Sequence, residues 1–149
     1  MLGAAKPARF NPTAGATLEL IAGRRALHLR GTVSLVRNGG FVQVNLDLDR
    51  NGGDFDASGY AGIELELYGN GEPYNVHLRT ADNWLVWQSY RAGFTAKPAW
   101  QSVRLPFSSF TPYRTSAPLD LKKLRRIGLV AIGREMQADL CLVRMVLYR

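Results

Sequence analysis

The sequence predicts an all-β protein, specifically a two-sheet β-sandwich of the jelly-roll type with one or two short helical turns. Three observations predict it. Apolar and polar residues alternate with period two along most of the chain, glycine and proline separate the alternating runs, and each run is short. Roughly nine such strands in 149 residues suit one domain with one core.

The predicted strands follow one another from the N-terminal to the C-terminal end. The first two form a hairpin, because Gly23-Arg24-Arg25 separates the alternating runs 17–22 and 26–36. The remaining strands are predicted at 40–48, 62–69, 74–80, 84–92, 100–105, 127–132 and 140–148. Short helical turns are predicted at 107–110 and 119–126. Residues 1–16 are expected to be a flexible N-terminal segment, and residues 17–149 the sandwich domain.

The charge of the chain is uneven. The net charge is +7, and residues 99–149 contribute an excess of six positive charges. Such an excess can attract nucleic acid, anionic lipid or an acidic protein, or simply keep the protein soluble. The basic run Lys122-Lys123-Leu124-Arg125-Arg126 has no interleaved aromatics. It is therefore interpreted as a solvated short helix, and nucleic acid is not expected as a partner.

Two features of the sequence bear on its compartment. Cys141 is the only cysteine, so neither an internal disulfide nor a cysteine-based metal cluster is expected. No secretory signal is recognisable at the N-terminal end, and no apolar run approaches the ~18 residues of a membrane helix. These features favour the cytoplasm without fixing the compartment, and they leave the oligomeric state open.

The polar faces of the middle strands are the predicted ligand-binding surface. They carry long hydrogen-bonding groups, namely Gln43, Asn45, Glu64, Glu66, His77 and Arg79. An arginine fork can hold a carboxylate, a phosphate or two sugar hydroxyls. Depending on the register of the next strand, Trp87 or Tyr90 joins this face as a platform for a sugar ring. The alternative is that Arg79 pairs with Glu64 or Glu66 across neighbouring strands, and the aromatics fill the core.

The stretch 47–52 resembles the start of a calcium-binding loop. Asp47, Asp49 and Asn51 occupy ligand positions of the EF-hand pattern, but Ser58 stands where a bidentate glutamate is needed. The favoured interpretation is a turn that ends the strand 40–48, with calcium as the less favoured alternative and no other cofactor expected.

Catalytic patterns are scarce. Neither His28 nor His77 belongs to a recognisable motif, and Cys141 lies in an apolar strand typical of an inert packing position. Glu64 and Glu66 lie on one strand face about 7 Å apart, a separation that paired glycosidase carboxylates can have. Such a pair would need to face a pocket. The sequence therefore favours a protein that is not an enzyme.

A series of segments resembles a known family. Gly39-Gly40-Phe41, then Tyr60-Ala61-Gly62-Ile63, then Leu78-Arg79-Thr80, then the Trp100–Phe107 segment occur in the order found in the NADH:ubiquinone oxidoreductase (complex I) intermediate-associated protein family. The resemblance covers about residues 26–149. It implies a galactose-binding-like jelly roll, similar to several carbohydrate-binding modules, and a role in assembling complex I rather than in catalysis.

Two functions are therefore carried forward. The first is a non-catalytic binding or assembly module with a protein partner, acting through a concave polar sheet face. The alternative is a carbohydrate-binding module that uses the same face with aromatic stacking. A sugar binder should expose its aromatics on that face, whereas an assembly factor can bury them and present charge.

Overall fold

The computed structural model describes residues 6–7, 9–11, 16–21, 24–33, 42–47, 53–85, 87–132 and 135–149. Within these ranges the chain forms twelve strands and two short 3-10 turns. The first six strands are β1 (Lys6–Pro7), β2 (Arg9–Asn11), β3 (Ala16–Ile21), β4 (Arg24–Val33), β5 (Val42–Asp47) and β6 (Gly62–Tyr68). The other six are β7 (Pro73–Thr80), β8 (Ser89–Thr95), β9 (Trp100–Pro106), β10 (Thr111–Tyr113), β11 (Leu124–Ala131) and β12 (Met136–Tyr148). The 3-10 turns are Phe107–Ser109 and Leu121–Lys123.

The strands assemble into two antiparallel sheets. Sheet A has the order β3-β4-β12-β6-β9, with β1 paired to β12. Sheet B has the order β10-β8-β7-β11-β5-β2. The predicted all-β, two-sheet architecture is thus confirmed, as is the first hairpin, in which Ile21 lies opposite Arg24.

The core lies between the two sheets and follows from the period-two pattern. Alternate residues of β6 and β7 point inward and are fully or almost fully buried, as are those of β11. These inward residues include Ile63, Leu65, Leu67, Val76, Leu78, Ile127 and Leu129. The residues between them on β6 and β7 are only partly buried and point away from the core. Each sheet therefore has one outer face available to a ligand.

The predicted strand at 84–92 is wrong in its first half. Strand β8 begins only at Ser89, and Trp84, Leu85 and Trp87 lie in the loop before it with their side chains exposed. This loop is closed by Asn83, whose side chain accepts a hydrogen bond from the Thr80 backbone at 2.8 Å. The apolar composition of 84–87 predicts a strand, but hydrogen bonds between Leu85 and Gln88 form a turn before β8.

The predicted helix at 119–126 is also shorter than expected. Asp120 caps a single 3-10 turn by accepting a hydrogen bond from the Lys122 backbone at 3.0 Å. Leu124 is already fully buried and exchanges backbone hydrogen bonds with Phe55 at 2.7 and 3.1 Å. Burying Leu124 in the core requires extended backbone at this point. The turn predicted at 107–110 is present as Phe107–Ser109.

The N-terminal segment 1–16 includes described strands. Lys6 and Pro7 lie opposite Leu147 and Val146 in sheet A, and β2 pairs with β5 in sheet B. The division of the chain at residue 17 stays a prediction. In the described part of the chain, no helix has the length and apolarity needed to cross a membrane.

Candidate functional site

The outer face of sheet B brings together the polar residues of three strands. On β7, His77 and Arg79 alternate with the buried Val76 and Leu78, so both polar side chains point outward. On β5, the part-buried Gln43 and Asn45 do the same. These four residues therefore share one outer face, as the period-two pattern of each strand predicted.

The register of sheet B aligns these residues in a row across four strands. Asn45 on β5 lies opposite Gly128 on β11, which lies opposite His77 on β7, which lies opposite Arg91 on β8. Neighbouring strands are about 4.8 Å apart, so the row spans about 14 Å. Gly128 has no side chain, and the Asn45 amide oxygen lies 3.3 Å from the position that a Cβ would take there.

A cavity of about 600 Å³ lies over this row, and we refer to it as the groove. Its floor is formed by residues of β5, β7 and β11, namely Gln43, Asn45, His77, Arg79, Arg126 and Gly128. Its rim is formed by residues around β8 and β10 and by one residue after β11, namely Trp87, Ser89, Arg91, Tyr113, Arg114 and Ile132. The volume is in the usual range for small-molecule sites.

Trp87 reaches the groove from the loop rather than from a strand. Arg79 on the groove floor holds the loop before β8 in place by donating hydrogen bonds to the backbone oxygens of Asn83 and Leu85, each at 3.2 Å. Gln88 holds the other side, accepting from the Leu85 backbone and donating to the Arg114 carbonyl. Trp87 itself is 51% exposed, which leaves a large part of its ring available for contact.

Tyr90 does not belong to the groove. It lies opposite Leu78, points into the core and is fully buried, with its hydroxyl donating to the Ala117 carbonyl at 2.8 Å. The residue opposite His77 is Arg91 rather than Trp87 or Tyr90. Both predicted registers were wrong because the loop before β8 is longer than residues 81–83.

Glu64 and Glu66 do not join the groove either. They lie on β6, and their side chains point to the outer face of sheet A, on the opposite side of the sandwich. Glu64 forms an ion pair with Arg104 at 2.9 Å and lies 3.8 Å from Arg144. The alternative prediction, a pairing of Arg79 with either glutamate, is therefore wrong, and neither glutamate lines the groove.

The electrostatics of the groove are dominated by cations. Partial burial and the nearby Arg91 lower the pKa of His77 from 6.5 to about 4, so the imidazole is neutral at pH 7. Burial, together with the charge of Arg126, lowers the pKa of Arg79. Burial also lowers the pKa of Arg91, with Arg114 adding to the effect. The arginines of the groove thus lie close enough for their positive charges to repel one another.

Seven residues of the groove lining were missed by the sequence reasoning, among them four large polar side chains. These four are Arg91, Tyr113, Arg114 and Arg126. Arg126 belongs to the run interpreted as a solvated helix, but it is on β11 and lies directly opposite Arg79. The period-two count from Ile127 and Leu129 would have placed it on the outer face. Tyr113 and Arg114 come from β10 and the turn after it, which carried no periodic signal.

Two other members of the basic run, Lys123 and Arg125, pair with carboxylates on the solvent side. Lys123 is 3.4 Å from Asp82 and 3.8 Å from Asp120. Arg125 pairs with Asp54 at 2.6 Å. Such exposed ion pairs contribute little to stability, about 0–1 kcal/mol each.

The calcium candidates cannot be placed as a set. Asp49 and Asn51 lie outside the described residues, and of Asp47 only the backbone, at the end of β5, is described. Further along this stretch, Asp56 accepts hydrogen bonds from the backbone and hydroxyl of Ser58, which lowers the pKa of the Asp56 carboxyl. That arrangement is an ordinary aspartate turn. Calcium stays an untested alternative.

Three potential metal ligands meet on the outer face of sheet A. The donor atoms of His28, Asp139 and Cys141 lie within 4.8 Å of one another beside a cavity of about 290 Å³. Zinc ligands at about 2.1 Å in a tetrahedral site are separated by about 3.4 Å. His28 Nε2 and Asp139 Oδ1 are only 2.5 Å apart. The pair is therefore arranged as a direct hydrogen bond in this structure.

Comparison with known proteins establishes the family. The model of the complex I intermediate-associated protein 30 (CIA30) family matches residues 13–142, and the chain belongs to this family. No curated protein sequence matches it significantly.

The solved structures that resemble the chain include carbohydrate-binding modules with the jelly-roll fold. The family 11 module from Clostridium thermocellum, in complex with a β-1,3-1,4-mixed-linked tetrasaccharide, has a TM-score of 0.72 and 15% identity over 95% of this chain and 86% of that one. The family 30 module of a cellulosomal cellulase from the same organism has a TM-score of 0.64 and 15% identity, covering 97% and 92%. An agarase, AgWH50C, has a TM-score of 0.62 and 11% identity over 97% of this chain but only 23% of its own. At these identities the likeness shows the fold alone, and it confirms the jelly-roll prediction.

Proposed function

We propose that this CIA30 domain is a carbohydrate-binding module that holds an oligosaccharide in the groove of sheet B. The observation that carries the proposal is the half-exposed ring of Trp87 beside a floor of planar polar side chains. Of the two predicted functions, the sugar binder was the one that required an exposed aromatic on this face. Trp87 meets that requirement although Tyr90 does not.

The chemistry of the groove suits sugars. An indole ring covers the apolar C–H face of a pyranose, and it loses little conformational freedom when it does so. The amides of Gln43 and Asn45 and the guanidinium of Arg79 offer donors and acceptors in fixed forks, which can engage neighbouring hydroxyls in pairs. A row of about 14 Å has room for more than one ring.

A binding role is better supported than a catalytic one. Glycoside hydrolysis generally uses two carboxylates flanking the scissile bond. None of the described residues that line the groove is acidic. The glutamate pair considered from the sequence lies on the other sheet, where Glu64 is engaged with Arg104.

A second candidate is an assembly role with a protein partner. The family match over residues 13–142 favours it, because the family is described by its association with complex I intermediates. The cationic groove would then accept an acidic segment of the partner. The two functions make different demands, because only sugar binding depends on the Trp87 ring.

Calorimetric titration of the purified protein with tetrasaccharides tests the proposal. A panel of neutral and acidic sugars should contain at least one ligand that binds with 1:1 stoichiometry. Trp87→Ala should weaken that binding about thirtyfold, which corresponds to about 2 kcal/mol. The matched control is Trp100→Ala, which removes a ring that is 41% exposed on sheet A. Equal losses in both variants, or no binding by any sugar, would refute the proposal.

A further inference from the structure

The groove lining is rich in arginine. Four arginines line the groove, Arg79, Arg91, Arg114 and Arg126, whereas none of the described lining residues is acidic. Ion pairs elsewhere in the described chain, such as Arg104 with Glu64 and Arg125 with Asp54, show that arginines outside the groove do find carboxylates. Among the described residues, no carboxylate pairs with Arg79, Arg91 or Arg114.

Basic residues of the groove lie opposite one another across the sheet. Arg126 on β11 lies directly across from Arg79 on β7, and Arg91 on β8 directly across from His77. Like charges in directly opposed positions destabilise a sheet. Burial is the main cause of the lowered pKa values of His77 and Arg79, and the charges of Arg91 and Arg126 add to it. Because His77 is neutral at pH 7, the like-charge repulsion between directly opposed residues is that of Arg79 and Arg126. A bound anion between these strands would convert the repulsion into attraction.

Two polar atoms on the groove floor have no partner in the folded chain. Arg79 uses one terminal nitrogen for the carbonyls of Asn83 and Leu85, which fixes the guanidinium, but its Nε is buried without a hydrogen bond. His77 Nε2 is likewise buried and unpartnered. Buried polar atoms normally have partners, so these two are hydrogen-bonding groups that the folded chain leaves unsatisfied beside the groove.

The rim holds two guanidinium groups around one tyrosine ring. The Arg91 guanidinium lies 3.5 Å from the Tyr113 ring centroid, and that of Arg114 lies at 5.4 Å. Arg114 also donates from Nε to the Tyr113 hydroxyl at 3.1 Å. Its backbone has a φ of 54°, in the left-handed region that arginine rarely adopts. A strained backbone that presents a cation to a groove is a feature typical of binding sites.

From these observations, and resting on the proposed function, we infer that the oligosaccharide is acidic, with carboxylate or sulfate groups held by Arg79, Arg91 and Arg114 while Trp87 stacks on a ring. Guanidinium forks match the planar or trigonal oxygens of both anions. A nucleic acid fits less well, because single-stranded binders stack successive bases on several rings. Here the Arg91 guanidinium lies against the Tyr113 ring, which is 36% exposed, and Trp87 at 51% is the more exposed ring of the groove lining.

The test compares sugars of equal length by calorimetry at 50 and 300 mM NaCl. The probes are tetragalacturonate, a sulfated chondroitin tetrasaccharide, the neutral β-1,3-1,4-glucan tetrasaccharide and a single-stranded DNA oligonucleotide. We expect an acidic tetrasaccharide to bind at least tenfold more tightly than the neutral one, with the preference reduced several-fold at the higher salt. The better of the two acidic probes identifies the anion.

Two variants that each remove one positive charge test whether the preference for acidic sugars arises in the groove. Arg114→Asn keeps a residue that tolerates the left-handed backbone and should weaken acidic sugar binding about tenfold, while neutral sugar binding changes less than twofold. Arg144→Gln removes the same charge from sheet A and should change neither. Thermal unfolding checks that both variants are folded.

Each contrary result has its own meaning. Equal affinity for neutral and acidic sugars would overturn the inference and leave the proposed function standing. Equal losses in the Arg114 and Arg144 variants would reduce the effect to general charge attraction and overturn it too. Binding of DNA but of no sugar, or binding of none of the probes, would overturn both the inference and the proposed function.

Discussion

His77 should make the fold sensitive to acid. Partial burial in the groove and the opposing Arg91 lower the pKa of His77 to about 4 in the folded chain, against 6.5 in the unfolded one. The unfolded chain therefore binds a proton at this position more readily. The stabilisation that His77 provides is complete above pH 6.5 and is lost as the pH falls from 6.5 through 4.

The magnitude follows from the difference between the two pKa values. A difference of about 2.5 would be worth about 3 kcal/mol if the site were sealed from solvent, since each pKa unit corresponds to about 1.4 kcal/mol. The groove is open, which weakens the repulsion from Arg91. We therefore expect His77 to account for a loss of roughly 2 kcal/mol in unfolding free energy between pH 7 and pH 4.5.

Urea unfolding of the wild type and of His77→Gln at these two pH values measures the effect. Glutamine keeps a polar side chain but does not titrate. Carboxylates titrate in both proteins, so their contribution cancels in the comparison. The wild type should lose roughly 2 kcal/mol more than the variant. If both proteins lose the same free energy, the assignment of a neutral His77 whose protonated form is destabilised in this groove is wrong.

Three further substitutions test the rest of the structure. Glu64→Gln should leave sugar affinity unchanged in calorimetry, because Glu64 lies on the other sheet, and a tenfold loss would contradict that placement. Gly62→Ala should lower the unfolding free energy by about 2 kcal/mol or more in a urea titration, because the new Cβ would lie 2.4 Å from the Leu105 carbonyl oxygen. The control Gly59→Ala places its Cβ in open space and should leave the unfolding free energy nearly unchanged. Tyr90→Phe should cost about 1 kcal/mol in the same measurement by removing the buried hydroxyl's hydrogen bond to Ala117, and a gain in stability would show that this bond is not made.

The sandwich could be predicted because the core residues of each strand alternate with outward-facing polar residues in the sequence. Val76 and Leu78 face inward, and so His77 and Arg79 must face outward whatever strand lies beside them. The same rule placed Gln43 and Asn45 on an outer face. These four residues of the groove floor follow from period two alone.

The grouping of faces could not be predicted, because alternation does not say which sheet a strand joins. Glu64 and Arg79 have the same outward pattern, yet β6 is in sheet A and β7 in sheet B. A connection between consecutive strands can either continue a sheet or cross to the other one, and the two choices leave the same local signal. The predicted surface therefore combined two opposite faces of the molecule.

Most of the rim of the groove was missed for a different reason, and Trp87, although predicted at the site, was expected on a strand rather than in a loop. Tyr113 and Arg114 reach the groove from the short edge strand β10 and the turn after it. Trp87 reaches it from a loop that hydrogen bonds of Asn83 and Arg79 hold in place. These placements depend on hydrogen bonds between segments distant in sequence, such as Gln88 to the Arg114 carbonyl. No periodic pattern reports such contacts.

The fluorescence of a variant that retains only Trp87, with Trp84 and Trp100 replaced by phenylalanine, tests the central claim most directly. The ring is 51% exposed in the free protein, so covering it with a sugar should shift its emission to shorter wavelength and saturate with an acidic tetrasaccharide. The companion variant that retains only Trp100 should show no change. A saturable shift in the Trp100 variant alone, or in neither variant, would contradict a ligand site in the groove of sheet B.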